Sequence, residues 1–157
     1  FIYDLISFIE ETMYYYFIPI FTESENKKMA NPKKIYAIDN GLVNSIVTKP
    51  VDIGWLYENL VAIKLISLGR TLFYYNGKNE CDFISFDRIK KQYSAIQVTY
   101  DLNEDNKERE VKGIIEAIET LGLKEGIIIT NSLEKEEKIK NKKIKFIPLW
   151  RWLLEEK

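Results

Sequence analysis

The run Gly126-Ile127-Ile128-Ile129-Thr130 constrains this chain more than any other stretch. Three consecutive isoleucines leave neither face of a strand fit for water, so the run is expected to be a central strand covered on both sides. What precedes it supplies one cover. Across 106–121, Val111, Ile114, Ile115 and Ile118 recur at helical spacing on one face, giving an amphipathic helix. Before that helix, 93–100 alternates as a strand.

The same reading extends along the chain. Apolar residues in 3–13 fit a short helix, and the aromatic, β-branched segment 14–21 fits a strand that Pro19 restricts to an edge. The polar segment 22–34 reads as a loop, with Asn31-Pro32 as a turn signal. A strand over 34–38 ends at Asp39-Asn40-Gly41, a dense turn signal. A helix over 55–68 closes on Gly69 as its C-cap. Strands 71–75 and 81–86 form a hairpin around Asn76-Gly77. A last strand spans 143–147, and Pro148 opens a final helix over 149–154 in which Trp150 and Trp152 anchor the core. The implied fold class is α/β, a mixed central sheet flanked by helices. Residues 1–30 read as a helix-strand remnant of a preceding region plus a linker, and 31–157 as the main domain.

Composition removes several kinds of chemistry. The chain has no histidine and one cysteine, Cys81, which excludes an internal disulfide and the commonest transition-metal and nucleophilic sites. Any enzyme built here must work with carboxylates. A net charge of -1 lacks the global basic excess of a protein that holds nucleic acid by bulk electrostatics. The opening segment lacks a basic n-region and a small-residue cleavage site, and no stretch reaches the length of a membrane span, so a cytoplasmic protein is expected. No G-x-x-x-x-G-K-[ST] phosphate loop occurs, so no ATP hydrolysis is expected of these residues. The chain opens on Phe1, not methionine, and is read as a piece of something longer.

Four positions stand out as chemistry. Glu58 shares a helix face with Val61, Ala62 and Leu65, the face a packed helix turns toward its sheet. Period-2 alternation puts Asp82 with Ile84 and Phe86 on an inward face, and puts Gln97 and Thr99 together on one face of the next strand. Oxygen ligands converging from different elements suit Mg²⁺, which keeps several waters and bridges to phosphate. The same residues also suit caps, hairpin hydrogen bonds or surface pairs. Lys33-Lys34, Lys90-Lys91 and the lysines of 135–145 read as a solvated Lys/Glu surface ahead of a phosphate-contacting one.

The motifs Lys34-Ile35-Tyr36-Ala37-Ile38-Asp39-Asn40-Gly41-Leu42, Leu56-Tyr57-Glu58-Asn59-Leu60-Val61, Glu80-Cys81-Asp82-Phe83 and Ile96-Gln97-Val98-Thr99-Tyr100 occur in that order. Together with the tail Ile147-Pro148-Leu149-Trp150-Arg151-Trp152-Leu153-Leu154, they resemble the domain that follows the ATPase module in archaeal and bacterial AAA-type ATPases. The resemblance covers essentially the whole chain. It implies a restriction-endonuclease-like, PD-(D/E)xK fold related to Holliday junction resolvases. It also implies nucleic acid and the ATPase module of the same polypeptide as partners. By the same resemblance the site comprises Glu58, Asp82, Gln97 and Thr99, with Glu58, Asp82 and Gln97 facing a Mg²⁺ ion. Gln97 and Thr99 stand where that pattern has Glu and Lys, so the expected site is a degraded one. Arg109 is a candidate replacement cation, with a helix-surface ion pair to a neighbouring glutamate as its alternative. Three outcomes stay open: a nuclease-like domain, a catalytically inactive module that regulates or positions the ATPase, and a plain structural or oligomerisation cap.

Overall fold

The computed structural model describes residues 2–156, so Phe1 and Lys157, the outer limits of the two expected segments, lie outside the described residues. Chain order begins with α1 (Ile2–Glu11), β1 (Tyr15–Ile18), α2 (Glu25–Ala30), β2 (Lys34–Ala37) and α3 (Asn40–Ile46). The long helix α4 (Ile53–Ser67) leads into β3 (Thr71–Asn76), β4 (Glu80–Asp87) and β5 (Gln92–Val98). After α5 (Glu104–Thr120) come β6 (Glu125–Thr130), β7 (Lys135–Ile139), β8 (Lys142–Pro148) and α6 (Leu149–Glu155).

Strands β3 to β8 make one six-stranded mixed sheet in the order β3-β4-β5-β6-β8-β7. β3, β4 and β5 run antiparallel, whereas β5 pairs with β6, and β6 with β8, in parallel. Parallel neighbours need a crossover, and α5 provides the one from β5 to β6. The triple isoleucine in β6 now has its reason. Ile128 packs with Ile114 and Ile118 of α5 on one side of the sheet, while Ile129 packs with Val61 and Leu65 of α4 and Trp152 of α6 on the other. Each isoleucine buried in this way contributes about 1.5–3 kcal/mol.

β1 and β2 form a separate antiparallel pair whose Ile18 and Tyr36 join the α4-side core. Beyond β1 the chain runs along β3: Phe21 N–H donates to the Tyr74 carbonyl, and Tyr74 N–H to the Pro19 carbonyl. These bonds cover one edge of the large sheet. Its other edge, β7, reads Lys-Glu-Glu-Lys-Ile, a charged strand that discourages further pairing.

Four local expectations are corrected. Segment 22–34 holds a helix, α2, because the Ser24 hydroxyl accepts the Lys27 N–H and caps it. Asp39-Asn40-Gly41 does not close a turn; Asp39 accepts the Leu42 N–H and starts α3. The run read as a solvated Lys/Glu surface keeps that character but also holds a strand missing from the sequence reading, β7, paired with β8. Trp152 is 2% exposed but Trp150 is 62% exposed, since residues two apart on a helix point roughly 200° apart and only one can enter the core.

A fifth correction bears on function. Phe73 pairs with Ile84 but Tyr75 pairs with Cys81, so Asp82 and Phe83 together oppose Tyr74 in a bulge. The extra residue breaks the alternation expected of β4. Cys81 and Ile84 both pack toward α5, while Phe83 packs toward α4. Asp82 therefore leaves the face of Ile84 and joins the α4 side, where β2 passes.

The start of β4 is held by close packing. A Cβ on Gly113 of α5 would stand 2.0 Å from the carbonyl oxygen of Glu80, so only glycine admits this contact. Gly113→Ala is expected to push α5 from β4 and lower the unfolding free energy by about 1–3 kcal/mol. Urea denaturation of the two proteins checks this; equal midpoints and slopes would mean that the contact relaxes without cost.

Candidate functional site

Helix α4 begins at Asp52, whose carboxylate accepts the Trp55 N–H, and ends at Gly69, whose φ of 71° permits the closing turn. Between these caps, Asn59 is fully buried. Its amide oxygen accepts the Ala37 N–H at 2.7 Å, and its amide nitrogen donates to the Ala37 carbonyl at 3.0 Å and to Asn40 Oδ1 at 2.7 Å. This clamp fixes β2 beside α4. One residue before Asn59, Glu58 then meets the two side chains that β2 sends inward, Lys34 and Tyr36.

The Lys34 ammonium lies 2.8 Å from Asp82 Oδ1, 2.6 Å from Glu80 Oε1 and 3.7 Å from Glu58 Oε2. Tyr36 donates its hydroxyl proton to Glu58 Oε2 at 2.9 Å. The second oxygen of Asp82 accepts the Val98 N–H at 2.9 Å. Gln97 braces the same strand end. Its carbonyl oxygen accepts the Asp82 N–H at 3.1 Å, and its amide donates to buried Glu110 of α5 at 2.6 Å. Thr99 Oγ1 donates to the Asp101 carbonyl at 3.3 Å. Glu58, Asp82, Gln97 and Thr99 thus line one cleft of about 630 Å³, together with Lys34, Glu80 and Glu110.

Charge is unbalanced there. Asp52, Glu58, Glu80, Asp82 and Glu110 face only Lys34, Lys78 and Arg109 along the cleft lining. Burial and the nearby Asp82 carboxylate push the Glu58 carboxyl up from 4.5 to about 7, against the pull of Lys34 and the Tyr36 hydrogen bond. Asp82 is also raised, chiefly by burial, with Lys34 and the Val98 N–H opposing. Lys34 is raised: burial disfavours its charge, but Asp82 and Glu58 outweigh burial, so it stays an ammonium. Burial, and then Glu58, hold Tyr36 as a neutral phenol.

The sequence reading assembled the carboxylates but missed the cation. Lys34 was visible only as half of a surface basic pair, although it shares its strand face with Tyr36 and opens the first motif. Arg109 takes the alternative assigned to it: both its Nε and a terminal nitrogen donate to Glu110 Oε1, and its side chain is 78% exposed. Glu110, near the start of α5, carried no signal of its own. The lysines of the late basic run are largely engaged, with Lys143 on Glu136, Lys145 on Glu125 and Lys135 on Glu137.

The fit of a divalent ion turns on the donor set. Among the described residues no three acidic or thiol side chains converge as a ready cage. Mg²⁺ needs no such cage, since one or two carboxylates, waters and a phosphate suffice. Glu58 and Asp82, both carboxylates on one ammonium, meet that lower demand.

These features define a mixed α/β domain with a carboxylate cleft set between β2, α4 and the adjoining ends of β4 and β5. Residues 53–152 match the family described as Domain of unknown function (DUF4143), and the chain belongs to that family. The chain is 39% identical over 142 residues to an uncharacterized protein of Methanocaldococcus jannaschii, a match that covers 83% of this chain and 31% of that protein. The chain therefore spans about a third of the length of this relative. No solved structure matches it. The matched span holds Glu58, Asp82, Gln97, Thr99 and Glu110 but starts after Lys34.

The Glu58 shift has a definite sign. A carboxyl raised in the folded chain lends stability that is whole below its unfolded value near 4.5 and is lost as pH climbs through about 7. The unfolding free energy should therefore fall between about pH 5 and about pH 8, by up to roughly 3 kcal/mol from this group. Glu58→Gln should flatten that fall. Denaturant titrations at both pH values check it, and an equally steep fall in the variant would refute the assignment to Glu58.

Proposed function

We propose that the chain is a nuclease-like domain of the restriction-endonuclease-like, PD-(D/E)xK class, carried C-terminally by a cytoplasmic AAA-type ATPase. On this reading its cleft holds a Mg²⁺ ion and contacts the phosphodiester backbone of a nucleic acid. The observation that carries the reading is the convergence of Glu58 from α4 and Asp82 from bulged β4 on one ammonium, in a cleft with a net excess of carboxylate. The mixed sheet with helices on both faces, and the relative about three times longer than this chain, are in keeping with it.

An acidic cleft repels a polyanion, so phosphate can enter only with added cations. Glu58 and Asp82 would hold the ion, and when bound it supplies Lewis-acid polarisation of a phosphoryl oxygen. The protein's own groups do the rest. The Val98 N–H holds the Asp82 carboxylate and Gln97 holds the Asp82 backbone N–H, so that the carboxylate need not reorganise. Tyr36 orients Glu58. Hydrolysis places the hydroxyl of a water on phosphorus as the phosphorus–oxygen ester bond breaks, and the water's remaining proton passes through solvent to the leaving oxygen.

A second reading, a catalytically inactive module that regulates or positions the ATPase, is favoured by one observation. Gln97 spends its polar atoms inside the protein, and Thr99 brings no charge to the cleft. Calorimetric titration of Mn²⁺ into the chain and into Asp82→Asn separates the two. Saturable binding lost in the variant by at least about tenfold, with Mn²⁺-dependent cleavage of DNA, is expected for the nuclease-like site. Binding without cleavage would leave the inactive module, and no binding at millimolar metal would remove the metal site itself.

A further inference from the structure

Lys34 is placed unlike the other cations of the cleft. It opens β2, far in sequence from the carboxylates, and its side chain is 22% exposed, against 78% for Arg109. Arg109 is committed to Glu110, one residue on. The Lys34 ammonium has three protons; two are directed to Glu80 and Asp82, and Glu58 lies just beyond hydrogen-bond range. One positive charge serves three carboxylates. Asp82 and Glu58 are confined, whereas the Glu80 side chain is 52% exposed and free to follow the ammonium outward.

We infer that Lys34 changes partner: it is the resident counter-ion of Asp82 and Glu58, and when a divalent cation takes those carboxylates it turns to the phosphate of the incoming nucleic acid. The inference rests on the metal-site reading above. Two cations within a few ångströms repel, so an ammonium bonded to Asp82 must yield when a second cation arrives on the same carboxylate. Its four-carbon stem and compact charge suit such a swing better than the planar fork of arginine would. A phosphate arriving in the cleft then offers the nearest unpaired negative oxygens. Lys34 thereby restores a positive charge facing substrate that neither Thr99 nor the committed Arg109 provides.

The test compares the parent chain with Lys34→Gln and Lys34→Arg, each checked for folding by circular dichroism. Two quantities are read: Mn²⁺ affinity by calorimetry, and affinity for a short fluorescein-labelled DNA duplex with a single-stranded overhang, measured in Ca²⁺ so that cleavage plays no part. Lys34→Gln should bind Mn²⁺ about tenfold or more tighter than the parent and the DNA about tenfold or more weaker. Lys34→Arg should keep most of the DNA affinity. Tighter Mn²⁺ with unchanged DNA affinity would reduce Lys34 to a counter-ion and overturn the inference. Weaker Mn²⁺ would also overturn it, by showing that the ammonium holds the carboxylates in place. Absence of Mn²⁺ binding in parent and variants alike would instead bring down the metal-site reading, and the inference with it. Should Lys34→Gln fail to fold, Lys34→Gln combined with Glu80→Gln removes a carboxylate along with the ammonium and supports the same two readouts.

Discussion

One extra residue in β4 determines where the charge in this protein sits. Regular alternation counted back from Ile84 would have sent Asp82 to the α5 side. The bulge opposite Tyr74 turns Asp82 and Phe83 together toward α4. Phe83 then packs into the α4-side core, and Asp82 meets Lys34. Without that turn the ammonium of β2 would face Glu58 and Glu80 alone, and the Val98 N–H would lack its carboxylate acceptor. Bulges that re-aim a side chain are common next to functional sites, and here the re-aimed group is, with Glu110, one of the two most buried carboxylates of the cleft.

The bulge is supported from both sides of the sheet. On the α5 side Gly113 lets the helix approach the Glu80 carbonyl, and Gln97 ties the Asp82 N–H to Glu110. On the α4 side Asn59 clamps β2, delivering Lys34 and Tyr36 to within reach of Glu58. Polar groups of this kind are costly to bury unless every partner is present, so the network tolerates little change in any one member. It also explains the tension at Glu58: the scaffold buries more carboxylate than Lys34 neutralises, and the excess is stored as a raised proton affinity. A site under such tension is stabilised by added positive charge, whether a proton or a metal ion.

The elements were legible where one physical signal dominated. The isoleucine run of β6, the Asn76-Gly77 hairpin, the amphipathic face of α5 and the Gly69 stop of α4 each carry enough local information to be read directly. Short elements were not. α2 and α3 are single-cap helices whose apolar content is too small for a period, and β7 is a charged edge strand that looks like solvated surface until its partner β8 is seen. In the cleft, Glu58, Gln97 and Thr99 could be named from helical and strand faces together with a family resemblance, and Asp82 from the resemblance, since alternation alone assigned it the wrong face. Lys34, Glu80 and Glu110 could not, because an isolated charged residue in a chain that is 30% charged has no signature.

By itself the sequence determined the layering: which segments must be buried on two faces, which on one, and that any chemistry would rest on carboxylates, since histidine is absent. Those are matters of local hydrophobic periodicity and residue inventory, which short windows contain. Tertiary structure alone decided the partners. The pairing of Lys34 with carboxylates more than twenty and nearly fifty positions away depends on the β2–α4 clamp, and the face of Asp82 depends on a register shift set by the whole β3–β4 ladder. Burial then converted those contacts into shifted proton affinities, because desolvation acts on a charge only after the fold has enclosed it.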